Sequence, residues 1–564
     1  MSKNFTRSAL ALAAGAALFG APAHAFVVND TFAGNWGDVS GGSRGLIIDV
    51  LEDRNPAGDF APAILVEWFT YDENGDPLWL ISDTAQIDRD TNTVDLEFLE
   101  FSGGAFASPE PGSPSGASWG TASLKFNSCN EAVLSFDGDN GTGESTFASL
   151  SASRQCVVDE VFDSCPSFST AGPIEGSCII GGGAPITNDI TLTNETTWLV
   201  QGQFLVGDGG SVTIEPNTEL VGGTLGDTDV FIVQQGGQVF AEGTAENPII
   251  MRGFLAEGRG EWGGVVINGR APVNDCAEGV CVVPNGEGQS GPYGGDDPDD
   301  NSGILRYVVV SNAGVLFDQE NELNGIAFQG VGRGTTVEYI QVHLNSDDGV
   351  EFFGGTVNAK RIVLTGIGDD SLDWTEGWTG NVQYLVAKQY TDDGDQGIEG
   401  DSNSNNNDFE PRALPVIANA TFIGQSNTDI GWLIREGTGV SIANSVVTGF
   451  GETCVDIDQT STFDNAANLT FVNNIIGNCA GGAFDDEGGD PFVVSDFILG
   501  QPGNVQADPM LNNYVPMIGS PALNVAPVPY TDSFFDNVNY AGAVPPNGDD
   551  WTKGWTVGLN RDAP

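Results

Sequence analysis

The sequence predicts an all-β chain in which a parallel β-helix follows a small antiparallel barrel or sandwich, and three observations carry that expectation. From Trp198 onward, β-branched runs of four to six residues recur with Gly, Asn and Asp between them, as in Ser211-Val212-Thr213-Ile214, Val230-Phe231-Ile232-Val233 and Gly264-Val265-Val266-Ile267. No helix-length periodic segment stands between these runs, so parallel stacking has to come from coiling the backbone itself. Finally, Glu338-Tyr339-Ile340-Gln341-Val342, Lys360-Arg361-Ile362-Val363-Leu364 and Gln383-Tyr384-Leu385-Val386-Ala387 align with Ile340, Ile362 and Leu385 22 and 23 residues apart, one coil per repeat.

Residues 1–25 read as a cleavable export signal: Lys3 and Arg7, an apolar stretch from Ala9 to Phe19, then Ala23-His24-Ala25. That stretch is too short to span a membrane, and no later run reaches the roughly 18 apolar residues that a spanning helix needs. The mature chain is therefore expected to be soluble and exported, whether periplasmic, on the cell surface or extracellular. Loss of Lys3 and Arg7 leaves 17 basic residues against 78 acidic ones, a formal charge of −61. Such a field repels phosphate and gathers cations, which excludes nucleic acid as a partner and makes divalent metal the natural counter-charge. With 40% hydrophobic and 9% aromatic residues, and its acids clustered, the chain is globular rather than disordered.

Residues 26–156 alternate short apolar runs with turns, as where Ala63 to Tyr71 enters Asp72-Glu73-Asn74-Gly75 and Leu78-Trp79-Leu80-Ile81 returns. This predicts the small antiparallel domain. Its tryptophans Trp36, Trp68, Trp79 and Trp119 either fill a core, as large aromatics do, or make a sugar-binding face. The phrases Asn35-Trp36-Gly37, Trp68-Phe69-Thr70-Tyr71-Asp72 and Trp119-Gly120-Thr121-Ala122 resemble a small domain common in secreted bacterial proteins. Residues 157–185 read as a linker closed by a disulfide, and residues 186–564 as the β-helix, with loop insertions near 274–302 and 402–412. Eight cysteines fall into local pairs, Cys129 with Cys156, Cys165 with Cys178, Cys276 with Cys281 and Cys454 with Cys479. Export favours disulfides over zinc, whose thiolate sites use tighter spacing.

Gly243-Thr244-Ala245-Glu246-Asn247-Pro248-Ile249, Trp262 to Pro272, Asp348-Gly349-Val350-Glu351-Phe352-Phe353-Gly354-Gly355 and Gly519-Ser520-Pro521-Ala522-Leu523-Asn524 resemble a family of secreted bacterial right-handed parallel β-helix proteins. That family is related in fold to pectate lyases and polygalacturonases. The resemblance covers roughly residues 185–564 and implies a right-handed coil.

Each repeat is followed by an acidic pair, Asp347-Asp348, Asp369-Asp370 and Asp392-Asp393, again 22 and 23 residues apart. Stacked on successive coils, such carboxylates stand about 4.8 Å apart and repel by about 3.5 kcal/mol at an effective dielectric of 20. Relief comes from solvent, from raised pKa values or from a cation, and calcium suits a site that offers many oxygens. The expected ligands of a structural calcium are Asp347, Asp348, Asp369, Asp370, Asp373, Asp392, Asp393 and Asp395, against the alternative of a solvated acidic face. Asp296-Asp297-Pro298-Asp299-Asp300 is a separate acidic loop.

Polygalacturonases carry an Asn-Thr-Asp motif and then an Asp-Asp pair; here Asn345-Ser346-Asp347 precedes Asp369-Asp370. The resemblance stops there, since Gly394-Asp395-Gln396-Gly397 stands near the place of the family's Gly-His-Gly. A lyase would need a base such as Lys360, Arg361 or Arg435, each expected instead to pair with carboxylates. His343, the one histidine of the mature chain, reads as structural, and without another histidine a serine- or cysteine-hydrolase triad fails. The expected function is an exported, calcium-stabilised β-helix that binds glycan or another envelope component. The alternative is a lyase or hydrolase of uronate-rich polymers.

Overall fold

The computed structural model describes residues 32–41, 44–54, 60–72, 74–86, 93–102, 115–128, 131–150, 165–173, 176–223, 228–275, 281–317, 323–546 and 548–559. The expected export signal lies outside them, as do Cys129, Cys156 and Cys276. The chain divides into two compact units, Met1–Asp163 and Ser164–Pro564.

In the first unit the strands are β1 (Gly34–Asp38), β2 (Gly45–Arg54), β3 (Phe60–Tyr71), β4 (Pro77–Ser82), β5 (Ala85–Gln86), β6 (Thr93–Ser102), β7 (Ser115–Ser128), β8 (Glu131–Gly138) and β9 (Gly141–Ser149). Pairing runs β2-β1-β9-β8-β7-β6-β4-β3 and returns to β2, closing an eight-stranded antiparallel barrel with β5 alongside β3. Closure resolves the choice between barrel and sandwich, and it leaves no strand of the ring unpaired on either side. Strand alternation turns Leu78 and Leu80 inward and Trp79 outward. Trp36, Trp68 and Trp119 fill the core, but Trp79 is 53% exposed, so the core placement expected for all four tryptophans fails at that position.

In the second unit, parallel pairing is already under way at Ser177–Gly181, which joins Thr197–Gln201 inside the stretch read as linker. The expected Cys165–Cys178 and Cys454–Cys479 disulfides are present, with Cα–Cα distances of 5.7 and 5.4 Å. Cys281 is also disulfide-bonded. The strands Gly303–Ser311, Thr336–His343, Asn358–Thr365, Asn381–Lys388 and Val416–Ile423 stack in parallel, aligning Val308, Ile340, Ile362, Leu385 and Ala420 in the buried core. The 22 and 23 residue repeat is the spacing of coils, as the sequence implies.

Each of these strands bends at one left-handed residue: Tyr307, Tyr339, Arg361, Tyr384 and Asn419, with φ of 49°, 53°, 64°, 65° and 53°. Left-handed backbone costs a side chain other than Gly about 1–2 kcal/mol. Stacking along the corner offsets it, with the Tyr307 and Tyr339 rings 4.2 Å apart and the Arg361 guanidinium 4.8 Å from Tyr339 and 5.4 Å from Tyr384.

A second parallel sheet of ten strands forms another wall of the coil and includes Ile326–Gln329, Val350–Phe353, Leu372–Thr375, Ile398–Gly400 and Trp432–Ile434. Its inward residues meet the core, where Phe352 stacks on Phe328 at 5.2 Å and on Trp378 at 3.9 Å. After the last coils the chain turns back and runs outside the first sheet as a strap. Gln341 exchanges two hydrogen bonds with the Val557 backbone and Gln383 two with that of Asp536, while Asn419 donates to the Tyr540 carbonyl and Asn444 to that of Ala526. The helices among the described residues include Thr460–Asp464 and Val494–Leu499; no helix there is long and apolar enough to cross a membrane.

Candidate functional site

The acids converge because the short strands of the second sheet alternate. Val350 and Phe352, Leu372 and Trp374, and Ile398 point inward, which leaves Glu351, Asp373 and Glu399 outward and in register on three successive coils. In the same column Ala327 precedes them and Leu433 follows. Each strand is entered through a turn whose side chain caps the next coil. Asp348 Oδ1 accepts the N–H of Asp370 at 3.0 Å, Asp370 Oδ1 that of Gln396 at 2.7 Å, and Gln396 Oε1 that of Ile430 at 2.9 Å. In the first two expected pairs the second member, Asp348 or Asp370, is thus an internal ladder residue, buried, and the first lies at its outer side.

The third pair is a correction. Thr365 pairs with Lys388, 23 residues on, but Leu372 pairs with Ile398, 26 on, so three extra residues sit in the intervening turn. Asp395 and Gln396 therefore take the place expected for Asp392 and Asp393: the Asp395 N–H donates to the Asp369 carbonyl, and the Asp429 N–H to that of Asp395. Asp392 is turned to Arg259, which grips it through Nη1 at 2.8 Å and Nη2 at 3.2 Å. Asp393 is exposed.

Carboxylate oxygens lie within 4.8 Å of one another in three overlapping sets: Asp347, Asp348 and Asp369; Asp348, Asp370 and Asp373; and Asp369, Asp370 and Asp395. Asp348, Asp370 and Asp373 are 6%, 4% and 9% exposed, and Asp373 Oδ1 is buried without a hydrogen-bond partner. Burial pushes all three pKa values well up, and their neighbours add to it, chiefly Asp373 for Asp348, Glu399 for Asp370, and Glu351 for Asp373. Asp395 is pushed up to about 7 by burial and by its hydrogen bond to Asp429. Glu399 also reaches about 7 through burial and Asp401, even though Arg435 stands 2.6 Å away. This arrangement can hold protons or a hard cation; it cannot hold all its charges bare.

Both expected loop insertions flank the column. From the first, Glu287 shares the amide of Asn324 with Glu351, at 3.1 and 2.6 Å, and burial pushes Glu287 to about 8. Tyr293 donates to Glu376 at 2.9 Å. The loops meet where Asn274 donates to the Ser402 and Pro411 carbonyls and receives from Asn403 at 3.0 Å. Arg435 closes the far side, bound to both Glu399 and Asp401.

Sequence reasoning missed Glu351, Glu399, Asp401 and Glu287. A signal for the first two was present: Asp348-Gly349-Val350-Glu351, Asp370-Ser371-Leu372-Asp373 and Gln396-Gly397-Ile398-Glu399 share one pattern of turn acceptor, small residue, aliphatic and acid. Other candidates lie elsewhere. In the 296–300 loop, Asp299 pairs with Arg333 at 2.6 Å and Asp300 is buried. Lys360 and Arg361 reach Asp536 of the strap, at 3.1 and 4.0 Å, and not the acidic column. His343 is buried with Nδ1 2.9 Å from Thr365 Oγ1.

A family model described as a pectate-lyase-like beta helix domain matches residues 184–480, just over half of the chain. No curated protein and no solved structure matches.

Proposed function

From the premise that this chain belongs to the pectate-lyase-like beta helix family, we propose that it is an exported, glycan-associated β-helix whose acidic column is held together by calcium. The observation that supports this most is the triad Asp348, Asp370 and Asp373. Three carboxylates within 4.8 Å, all more than nine-tenths buried, leave one oxygen without a donor. At neutral pH either protons or a cation must fill that deficit, and calcium accepts six to eight oxygens with tolerant geometry. Asp347, Asp369 and Asp395 extend the oxygen set outward on the two flanking sides. Of the expected ligands, Asp392 and Asp393 are dropped from this proposal. Disulfides and the family fold fit an extracellular protein, and the column on an outer wall of the coil offers glycan a calcium-bridged contact.

The test is thermal unfolding of the mature protein with calcium chloride, with sodium chloride at equal ionic strength, and with chelator. A calcium-specific rise reversed by chelator is expected, because a ligand of the folded state alone must stabilise it; equal shifts in the two salts would leave only a solvated acidic face. The second reading, a lyase or hydrolase of uronate polymers, draws on the paired carboxylates of the same column. Release of unsaturated or reducing ends from polygalacturonate, lost in Asp369→Asn, is the outcome that would replace binding by catalysis.

A further inference from the structure

The barrel carries a feature that the β-helix reading does not use. Along one outward row of its wall, register pairs Gly37 with Gly45, Gly45 with Phe69 and Phe69 with Trp79; the pairing of Leu80 with Glu100 then sets Trp79 beside Phe101, which pairs with Gly116. Three aromatics on three adjacent strands are thus bounded on both sides by glycine. Phe69, Trp79 and Phe101 are 38%, 53% and 45% exposed, and Tyr71, two residues along β3 on the same face, is 41% exposed. The Phe69 and Trp79 rings lie within 10° of parallel with centroids 5.8 Å apart. The Phe101 ring leans over Gly116, where any Cβ would meet it at 2.9 Å. Among the described residues, bare backbone at the flanks leaves the aromatic strip open.

We propose that this strip is a stacking platform for an extended neutral polysaccharide. Ring faces spaced by adjacent strands, about 4.8 Å each, advance at close to the step of pyranose units in an extended chain, and the C–H faces of sugars pack on aromatic rings. Glu67, two residues from Phe69 on the same face of its strand, offers a carboxylate acceptor to sugar hydroxyls. Charge chooses among occupants. The chain's formal charge of −59 repels uronate chains and anionic lipid alike, and Arg44, next to Gly45, is already held by Asp38 at 2.9 Å. Every strand of the barrel ring is paired on both sides, so no whole strand edge stands open for a partner strand to add to. The inference rests on the glycan-associated reading but not on calcium.

The test uses the full mature chain, with retention on insoluble cellulose and chitin and affinity electrophoresis in xylan and mannan, all in chelator. The parent should bind at least one of these, and Trp79→Ala should weaken that binding about tenfold or more, with the circular dichroism spectrum and unfolding temperature unchanged. Phe101→Ala serves as a second variant should Trp79→Ala fail to fold. Binding by the parent that survives both substitutions overturns the platform while leaving the glycan reading intact. Binding only to polygalacturonate with calcium does the same. No glycan bound under either condition overturns both, and capture by phosphatidylcholine vesicles in place of glycans would make the strip a membrane contact.

Discussion

Asp370 Oδ1 accepts the backbone N–H of Gln396 on the following coil at 2.7 Å, so one carboxylate serves both as a ladder acceptor and as a member of a crowded acidic triad. The two roles separate by substitution. Asp370→Asn keeps the acceptor and removes the charge; Asp370→Ala removes both and leaves a buried N–H unpaired, at about 1–3 kcal/mol. In chelator at pH 8, denaturant unfolding should rank Asn above the parent and Ala below Asn by that amount. Both variants should lose the calcium-specific shift.

The column also fixes the sign of the pH dependence. Asp395 and Glu399 titrate near 7 in the fold and Glu287 near 8, whereas unfolded carboxyls titrate at about 4. Between those limits the folded chain holds more protons than the unfolded one, so stability falls as pH rises. In chelator the unfolding temperature should drop between pH 5 and pH 8. Calcium competes with these protons, so its stabilisation should be small at pH 5 and large at pH 8. A chelated protein that gains stability over this range would contradict the reading.

The Cys454–Cys479 disulfide closes a loop of 25 residues across late coils. Removing it by Cys454→Ala with Cys479→Ala should cost about 3 kcal/mol, since the unfolded chain regains loop entropy. The midpoint in guanidinium, compared with the parent, measures it.

Tyr339 sits at φ 53° in a stack with Tyr307 and Arg361. Both Tyr339→Ala and Tyr339→Gly lose the stack, but only glycine adopts that backbone freely. The glycine variant should therefore be more stable than the alanine variant by about 1 kcal/mol, the reverse of the usual order within a strand. Equal stabilities would mean that the corner relaxes.

The coil repeat was legible because Ile340, Ile362 and Leu385 all face a core that tolerates no drift in strand spacing. The acidic column was legible only for two coils. Between Lys388 and Asp395 the turn carries three more residues than its counterpart, and turns face solvent, where insertions cost little. Counting from the strands thus put the stacked pair at Asp392 and Asp393, whereas Asp395, also among the expected ligands, holds that place on the coil. Glu351 and Glu399 went unread because strands of three or four residues show too little alternation to mark one outward acid as part of a row. In the barrel, Leu78 and Leu80 claim the core and alternation turns Trp79 outward, a signal that the expectation of a core position for all four tryptophans left unused.

A stack of coils in which each touches only its neighbours unfolds like a frayed rope, from its ends and in independent steps. The C-terminal strap changes that behaviour. Trp555 packs on Tyr307 and Tyr339, the Ala526 carbonyl accepts from Asn444, and between them the strap backbone is tied to Gln341, Gln383 and Asn419. Residues of the strap thus complete the outer surface of coils synthesised more than two hundred residues earlier, as Gln341 and Val557 show. The middle of the solenoid cannot reach its final stability until the strap has been synthesised. The unfolding of these coils should accordingly be a single cooperative event, and loss of the last fifty residues should loosen the coil of Tyr307 as surely as that of Asn473.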